Sequence, residues 1–186
     1  MNKEQVMNLV GYIKIDENED MLSKIDMEEW FLLALPIMYC NLNVRKNYNW
    51  KSYFRNEEKL KNDLRAFYKV FNRLSLEEAL SEYNKNEYRV FGISTQIYLL
   101  VLAWVVGYVS YEDVYEKTKE IVMNIKISNF KLYGENFIKD AEHIFMGEKK
   151  VIRYMKRKMN LLLYKNNSPW KYKDFQEIIY NIMGES

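Results

Sequence analysis

The chain has 186 residues, 48% of them hydrophobic, with two prolines, six glycines, one cysteine and a net charge of +2. That length suits one domain with a proper core, and the shortage of turn-forming residues argues for long helices over a sandwich or barrel. The near-neutral balance excludes a global field that demands an anionic partner, and a lone Cys40 excludes an internal disulfide.

Taken in order, residues 3–13 place Val6, Leu9, Val10 and Ile13 at helical spacing and predict a short first helix. The stretch MNKEQVMNLVGYIKIDENED has no apolar core of a signal peptide, so a cytoplasmic location is expected. An acidic loop, Asp16 to Asp20, comes next. Asp26 and Glu29 have capping-box spacing and open a helix from Met27 to about Cys40, which Pro36 should kink or interrupt. Cys40 at its end is expected to be a small buried hydrophobe and not a nucleophile. Asn41 to Asn49 is polar and turn-like. From about Asn56 an amphipathic segment puts Leu60, Leu64, Phe67, Phe71 and Leu74 on one face. Ser75 and Glu78 predict a second capping box and a short helix, and Asn84 to Glu87 a loop.

Val90 to Tyr111 contains no charged residue, and Ile97 to Val106 is apolar or aromatic throughout. A helix apolar on every face must be buried in protein or in lipid. Ser94, Thr95 and Gln96 polarise its first half, glycines interrupt both ends, and basic clusters that would anchor a span are missing from its flanks. It is therefore expected to be the central core helix, with Trp104→Ala costing roughly 3–5 kcal/mol through lost burial.

Beyond it, Ser110 with Asp113 predicts a helix to about Met123, with Val114, Thr118, Ile121 and Val122 facing inward. Ser128 is the expected cap of a helix carrying Phe130, Tyr133, Phe137, Ala141, Ile144 and Phe145, ended by Gly147. Lys149 to Tyr164 is the next helix, Asn166 to Pro169 a stop, and Tyr172 to Met183 a last helix. The whole, residues 1–186, reads as one all-α domain of about eight helices around a buried central one.

No catalytic motif is present. His143 and Cys40 are one of each, too few for a metal site of their own, and no HExxH, CxxC, GxSxG, GxxxxGK[ST] or GxGxxG occurs. His143 is expected to be a structural or solvated helix residue. The adjacent acids Glu28/Glu29, Glu57/Glu58, Glu77/Glu78 and Glu112/Asp113 mostly fall in first turns, where negative charge complements the helix dipole. No enzyme activity, cofactor or metal is expected. Tyrosine (16), lysine (21) and asparagine (19) are abundant while alanine (5) and arginine (7) are scarce, the signature of AT-rich coding, so aromatic abundance alone does not mark a binding surface.

The charged feature that stands out is Lys149–Tyr164. Lys149, Lys150, Arg153, Lys156 and Arg157 fall on one side, and Ile152, Met155, Met159, Leu162 and Leu163 on the other. Such a helix can be a surface helix packed by its apolar stripe with its lysines simply solvated; it can also dock on an acidic protein groove, a phosphate backbone or an anionic surface, or pair with the chain's own acidic Asp16–Glu29 segment.

Three stretches together carry a resemblance: FGISTQIYLLVLAWVVGYVSYEDVYEKTKEI, SNFKLYGENF, and NNSPW at Asn166 to Trp170. In this order, over Trp30 to Trp170, the chain resembles a family of uncharacterised bacterial proteins, the YbeU-like domain of unknown function. Ile93 and Gln96, or their neighbours, stand where that family carries acidic and arginine residues, and Phe130 stands where it often has a tryptophan. A function carried by those polar positions is not expected here. The resemblance implies a bacterial, mostly helical intracellular protein and supplies no activity or site residue. The expected function is a non-enzymatic protein-binding module, of the class of immunity or antitoxin proteins that mask a toxin partner. The alternative is a nucleic-acid or anionic-surface binder acting through the basic helix.

Overall fold

The helix with no polar face is buried as its composition requires: 15 residues of Arg89–Val105, out of 17, are buried. The computed structural model describes residue 35 and residues 57–84, 89–123, 125–164, 170 and 174–183. Among them the chain is all-α, with seven helices and no strand: α1 (Glu57–Tyr68), α2 (Arg73–Asn84), α3 (Arg89–Val105), α4 (Tyr111–Val122), α5 (Phe130–Ile144), α6 (Lys149–Tyr164) and α7 (Phe175–Met183). The helix α3 is the hub. It is packed most closely by α2, α4 and α5 and more lightly by α1, while α6 lies on α5 and α7 meets α4. The expectations for residues 1–56 lie outside the described residues, except that Leu35 is fully buried. So do those for residues 85–87 and the Asn166–Pro169 stop.

The two ends of α3 are fixed by different means. At its C-terminus the N–H of Tyr108 reaches the Ala103 carbonyl (2.8 Å) and that of Gly107 reaches Trp104 (3.0 Å), with Gly107 at φ +80°. This is a Schellman cap, and it stops the helix at Val105 rather than at Tyr111. A β-carbon at Gly107 would meet nothing within 4 Å, so only backbone strain opposes one. Gly107→Ala is expected to cost about 1 kcal/mol in equilibrium unfolding, with no change in fold by circular dichroism. At its N-terminus the backbone N–H groups of Val90 and Phe91 donate to the same carboxylate oxygen of Asp140, on α5, at 2.9 and 3.0 Å.

Close approach sets the packing around the hub. A β-carbon on Gly92 would lie 2.8 Å from the Tyr83 carbonyl oxygen, so α2 can sit this close to α3 only because residue 92 is glycine. Ser94 and Tyr133 share a buried hydroxyl–hydroxyl hydrogen bond between α3 and α5. Burial pushes the Tyr133 phenol far up, so it stays neutral. Tyr133 belongs to an aromatic cluster in which Phe130 stacks on Trp170 (5.1 Å between centroids) and meets Phe175 edge-on (5.0 Å). Gly134 leaves room beside it for Met159 and Trp170. Ser94, Phe130, Tyr133, Gly134 and Trp170 come from all three stretches that carry the family resemblance. Those stretches meet in one buried cluster, and what they share here is packing.

Several expectations are corrected. Phe67, Phe71 and Leu74 do not face the core; they are 74%, 53% and 71% exposed. The helix stops at Tyr68, where Lys69 turns left-handed (φ 55°) and its N–H bonds the Arg65 carbonyl. That turn breaks the helical period ahead of Phe71 and Leu74, and Val70, fully buried, takes the inward place; Phe67 is already exposed within α1. The helix α2 begins before Ser75: Asn72 is the cap, accepting from the Ser75 N–H (3.0 Å), and Ser75 Oγ accepts in return from the Asn72 N–H (3.1 Å). Ser75 is thus the third helical residue of a box in which Glu78 has no part. Asn129, one residue after the expected Ser128, caps α5. Trp104 is half-buried, leaning on Tyr111 (5.7 Å), so the cost of Trp104→Ala falls below that of a fully buried aromatic.

Ser110 opens α4 as expected, and with Asp113 it forms a reciprocal capping box. The Ser110 backbone N–H, more than the nearby Arg73 guanidinium at 2.9 Å, holds the Asp113 carboxyl below the usual carboxylate range. A lowered folded value contributes stability above about pH 4, the ordinary value, that is lost as pH falls through the lower folded one. Asp113→Asn is expected to flatten that acid limb, read as the change in unfolding free energy between neutral pH and pH about 3.

Candidate functional site

The basic helix forms over the expected residues, Lys149–Tyr164. It follows α5 after a turn in which Gly147 adopts φ +90°, and Glu148 supplies the first carbonyl, accepting from Val151 (2.9 Å). Its inner face is only partly covered. Leu162 is fully buried, while Ile152, Met155, Met159 and Leu163 are half-buried against α5 and its surroundings. The opposite face is left to solvent.

Between the end of α5 and the start of α6 lies an open cleft of about 470 Å³. Lys149, Arg153, Lys156 and Arg157 line it, with Phe145 and Ile152 as half-buried apolar floor and Glu142 and Glu148 as its carboxylates. Lys156 bonds Glu142 at 2.5 Å and so joins the two helices. Lys149, Arg153 and Arg157 are exposed and make no ion pair among the described residues. Lys150 is exposed and stands outside the cleft. Four of the five expected residues are therefore brought together, one of them already neutralised. The first turn of α6 holds no acid. Cations there oppose the helix dipole at about 0.3–1 kcal/mol each, a local conflict of the kind concentrated at functional surfaces.

The cleft is tied to the hub through its floor. Phe145 meets Phe91 of α3 edge-on at 5.9 Å, and Phe91 is stacked on Phe137 of α5 at 5.3 Å. The packing that fixes α5 on α3 thus also fixes one wall of the cleft.

Sequence reasoning missed Glu142, Phe145, Glu148 and Asn160 as lining residues, because they belong to the cleft only once α5 and α6 fold back on each other. It also placed no role on Lys158, which is 3% exposed with its ammonium 4.7 Å over the Tyr154 ring. Lys158 stands three residues after Met155 and four before Leu162, inside the apolar stripe, and that register was the available signal. His143 is exposed, and its Nδ1 lies 2.8 Å from the Lys139 carbonyl of its own helix. A carbonyl can only accept, so Nδ1 carries the proton there. Among the described residues no three His, Cys, Asp or Glu side chains gather to hold a metal ion. No helix among them is long and apolar enough to cross a membrane. Comparison with protein-family models, curated proteins and solved structures finds no match for this chain.

Proposed function

We propose that this protein acts by occupying the surface of another protein and turns nothing over, with the α5–α6 cleft as its docking face. The observation that carries the reading is the cleft itself: three exposed cations without carboxylate partners among the described residues, set around a half-buried Phe145–Ile152 floor. An acidic segment with one or two apolar anchors complements that arrangement, the anchors supplying affinity and the charges speeding encounter and rejecting wrong partners. An immunity or antitoxin role, masking a bacterial toxin in the cytoplasm, is the biological class proposed. Membership of the YbeU-like family is proposed with it, on the three short stretches alone.

Nucleic acid is the second reading, favoured by the same row of cations. It predicts binding that weakens steeply with salt, with a shallower slope after Lys149, Arg153 and Arg157 are changed to glutamine. The discriminating experiment is affinity purification from the native organism. The expected result is one stoichiometric protein partner, in a complex burying about 1,200–2,000 Å². Recovery of the protein alone, with a reproducible turnover abolished by changing His143 or a carboxylate, would defeat the proposal.

A further inference from the structure

A second cavity, of about 400 Å³, opens between α2, α3 and α4, away from the basic cleft. Arg89, Ile93 and Gln96 of α3 line it at positions i, i+4 and i+7, on one helical face. Leu80 of α2 and Ile121 of α4 supply apolar wall. Gln96 is 6% exposed, an amide embedded in a helix that is otherwise core. Its Nε2 reaches only the Gly92 carbonyl of its own helix, at 3.4 Å, a long bond, and its carbonyl oxygen has no partner among the described residues. An amide offers two donor and two acceptor positions, so most of the capacity of this one is left open. The cavity is where its remaining capacity points.

The charges lining the cavity are uneven in the same informative way. Lys117 lies between Glu77 (3.4 Å) and Glu120 (3.9 Å), so its ammonium is taken up by these two carboxylates and is not free for a ligand. Arg89 is exposed and makes no ion pair among the described residues. A planar guanidinium in this setting is a fork for a carboxylate. Seven residues of helix put Arg89 and Gln96 about 10 Å apart along the axis, with Ile93 between them.

From this placement we infer that the α2–α3–α4 cavity is a small-molecule site for an elongated monocarboxylate: its carboxylate on Arg89, its apolar middle against Ile93, Leu80 and Ile121, and an amide at its far end on Gln96. The volume lies in the range of small-ligand sites, about 300–1,000 Å³. The amide end both donates to and accepts from Gln96, which is what a glutamine side chain recognises and an aliphatic end cannot match. This site stands apart from the α5–α6 cleft, and either can fail without the other.

The test uses the full chain and a defined series of probes, 4-acetamidobutanoate to 7-acetamidoheptanoate, with the matching acetamido-alcohols as controls lacking the carboxylate. Calorimetric titration is expected to find one chain length that binds at micromolar to millimolar concentration, while its alcohol does not. Arg89→Met and Gln96→Leu are each expected to weaken that binding about ten-fold or more, the size of one hydrogen bond to a charged or buried group. Gln96→Leu is expected to keep the helical circular dichroism spectrum and a cooperative thermal transition, which report that the variant folds. Arg89 is at the surface, so Arg89→Met provides a second variant free of any effect on the core. If no member of the series binds at millimolar concentration, or if binding persists unweakened in both variants, the inference is overturned.

Discussion

Phe137→Ala is expected to destabilise the protein by about 3–5 kcal/mol, read as a shift in the denaturant midpoint at unchanged slope. Phe137 is fully buried and stacked on Phe91 at 5.3 Å, with the ring planes 29° apart. Removing the ring opens a void between α5 and the hub helix, and it also removes the surface on which Phe91 rests. Phe91 in turn supports Phe145, the floor of the cleft, at 5.9 Å. The same substitution is therefore expected to loosen the α5–α6 cleft as well as the core. Phe137→Leu, which keeps most of the volume, should cost clearly less. Equal costs for the two would mean that the stacking geometry, rather than the filled volume, holds α5 in place.

The second large effect is expected at Asp140. Residues Val90 and Phe91 are buried at the start of α3, and their N–H groups are among the helix's orphan donors. A cap side chain adjacent in sequence would ordinarily take them. Here a carboxylate 50 residues further along the chain does so, from another helix. Its negative charge also sits at the positive end of the helix dipole. Asp140→Ala leaves two buried donors without a partner, at about 1–3 kcal/mol each, so a loss of about 2–4 kcal/mol is expected once water relieves part of it. Asp140→Asn keeps an acceptor but not the charge and should lose roughly half as much. Hydrogen exchange at the Val90 and Phe91 amides gives a direct check, since both should lose protection in the alanine variant before the rest of α3 does.

Asp140 also shows where the sequence stopped being legible. The burial of Val90–Val105 could be read from composition, because a helix without a polar face has nowhere else to go. The bounds of the basic helix could be read to the residue, because its two faces keep the helical period with Lys158 as the one charged residue in the apolar stripe. The helix start at Ser110 with Asp113 was legible because both partners lie within one turn. What reads poorly is anything decided between helices. The tertiary cap by Asp140 leaves no local trace, and Glu142 and Phe145 look like ordinary helix residues until α6 lies beside them. Phe71 and Leu74 misled for a related reason. They continue the helical period on paper, but Lys69 adopts a left-handed conformation that no glycine announces, and the stripe is cut before them. Ser75 was mistaken for a cap because Asn72, three residues earlier, competes for the same role and wins it. Lys158 was passed over because a lysine is rarely buried, although its position in the apolar stripe said otherwise.

If the cleft's unpaired cations meet a partner protein, as proposed, the association rate of that complex depends on them and can be measured by stopped flow at low and at physiological salt. For the variant carrying Lys149→Gln, Arg153→Gln and Arg157→Gln, the association rate is expected to fall about ten-fold or more at low salt and to become nearly salt-independent, with thermal stability unchanged. Lys150→Gln, on the same helix but outside the cleft, should stay within about two-fold of wild type. An association rate that the triple variant leaves unchanged, or that Lys150→Gln lowers just as much, would contradict the account.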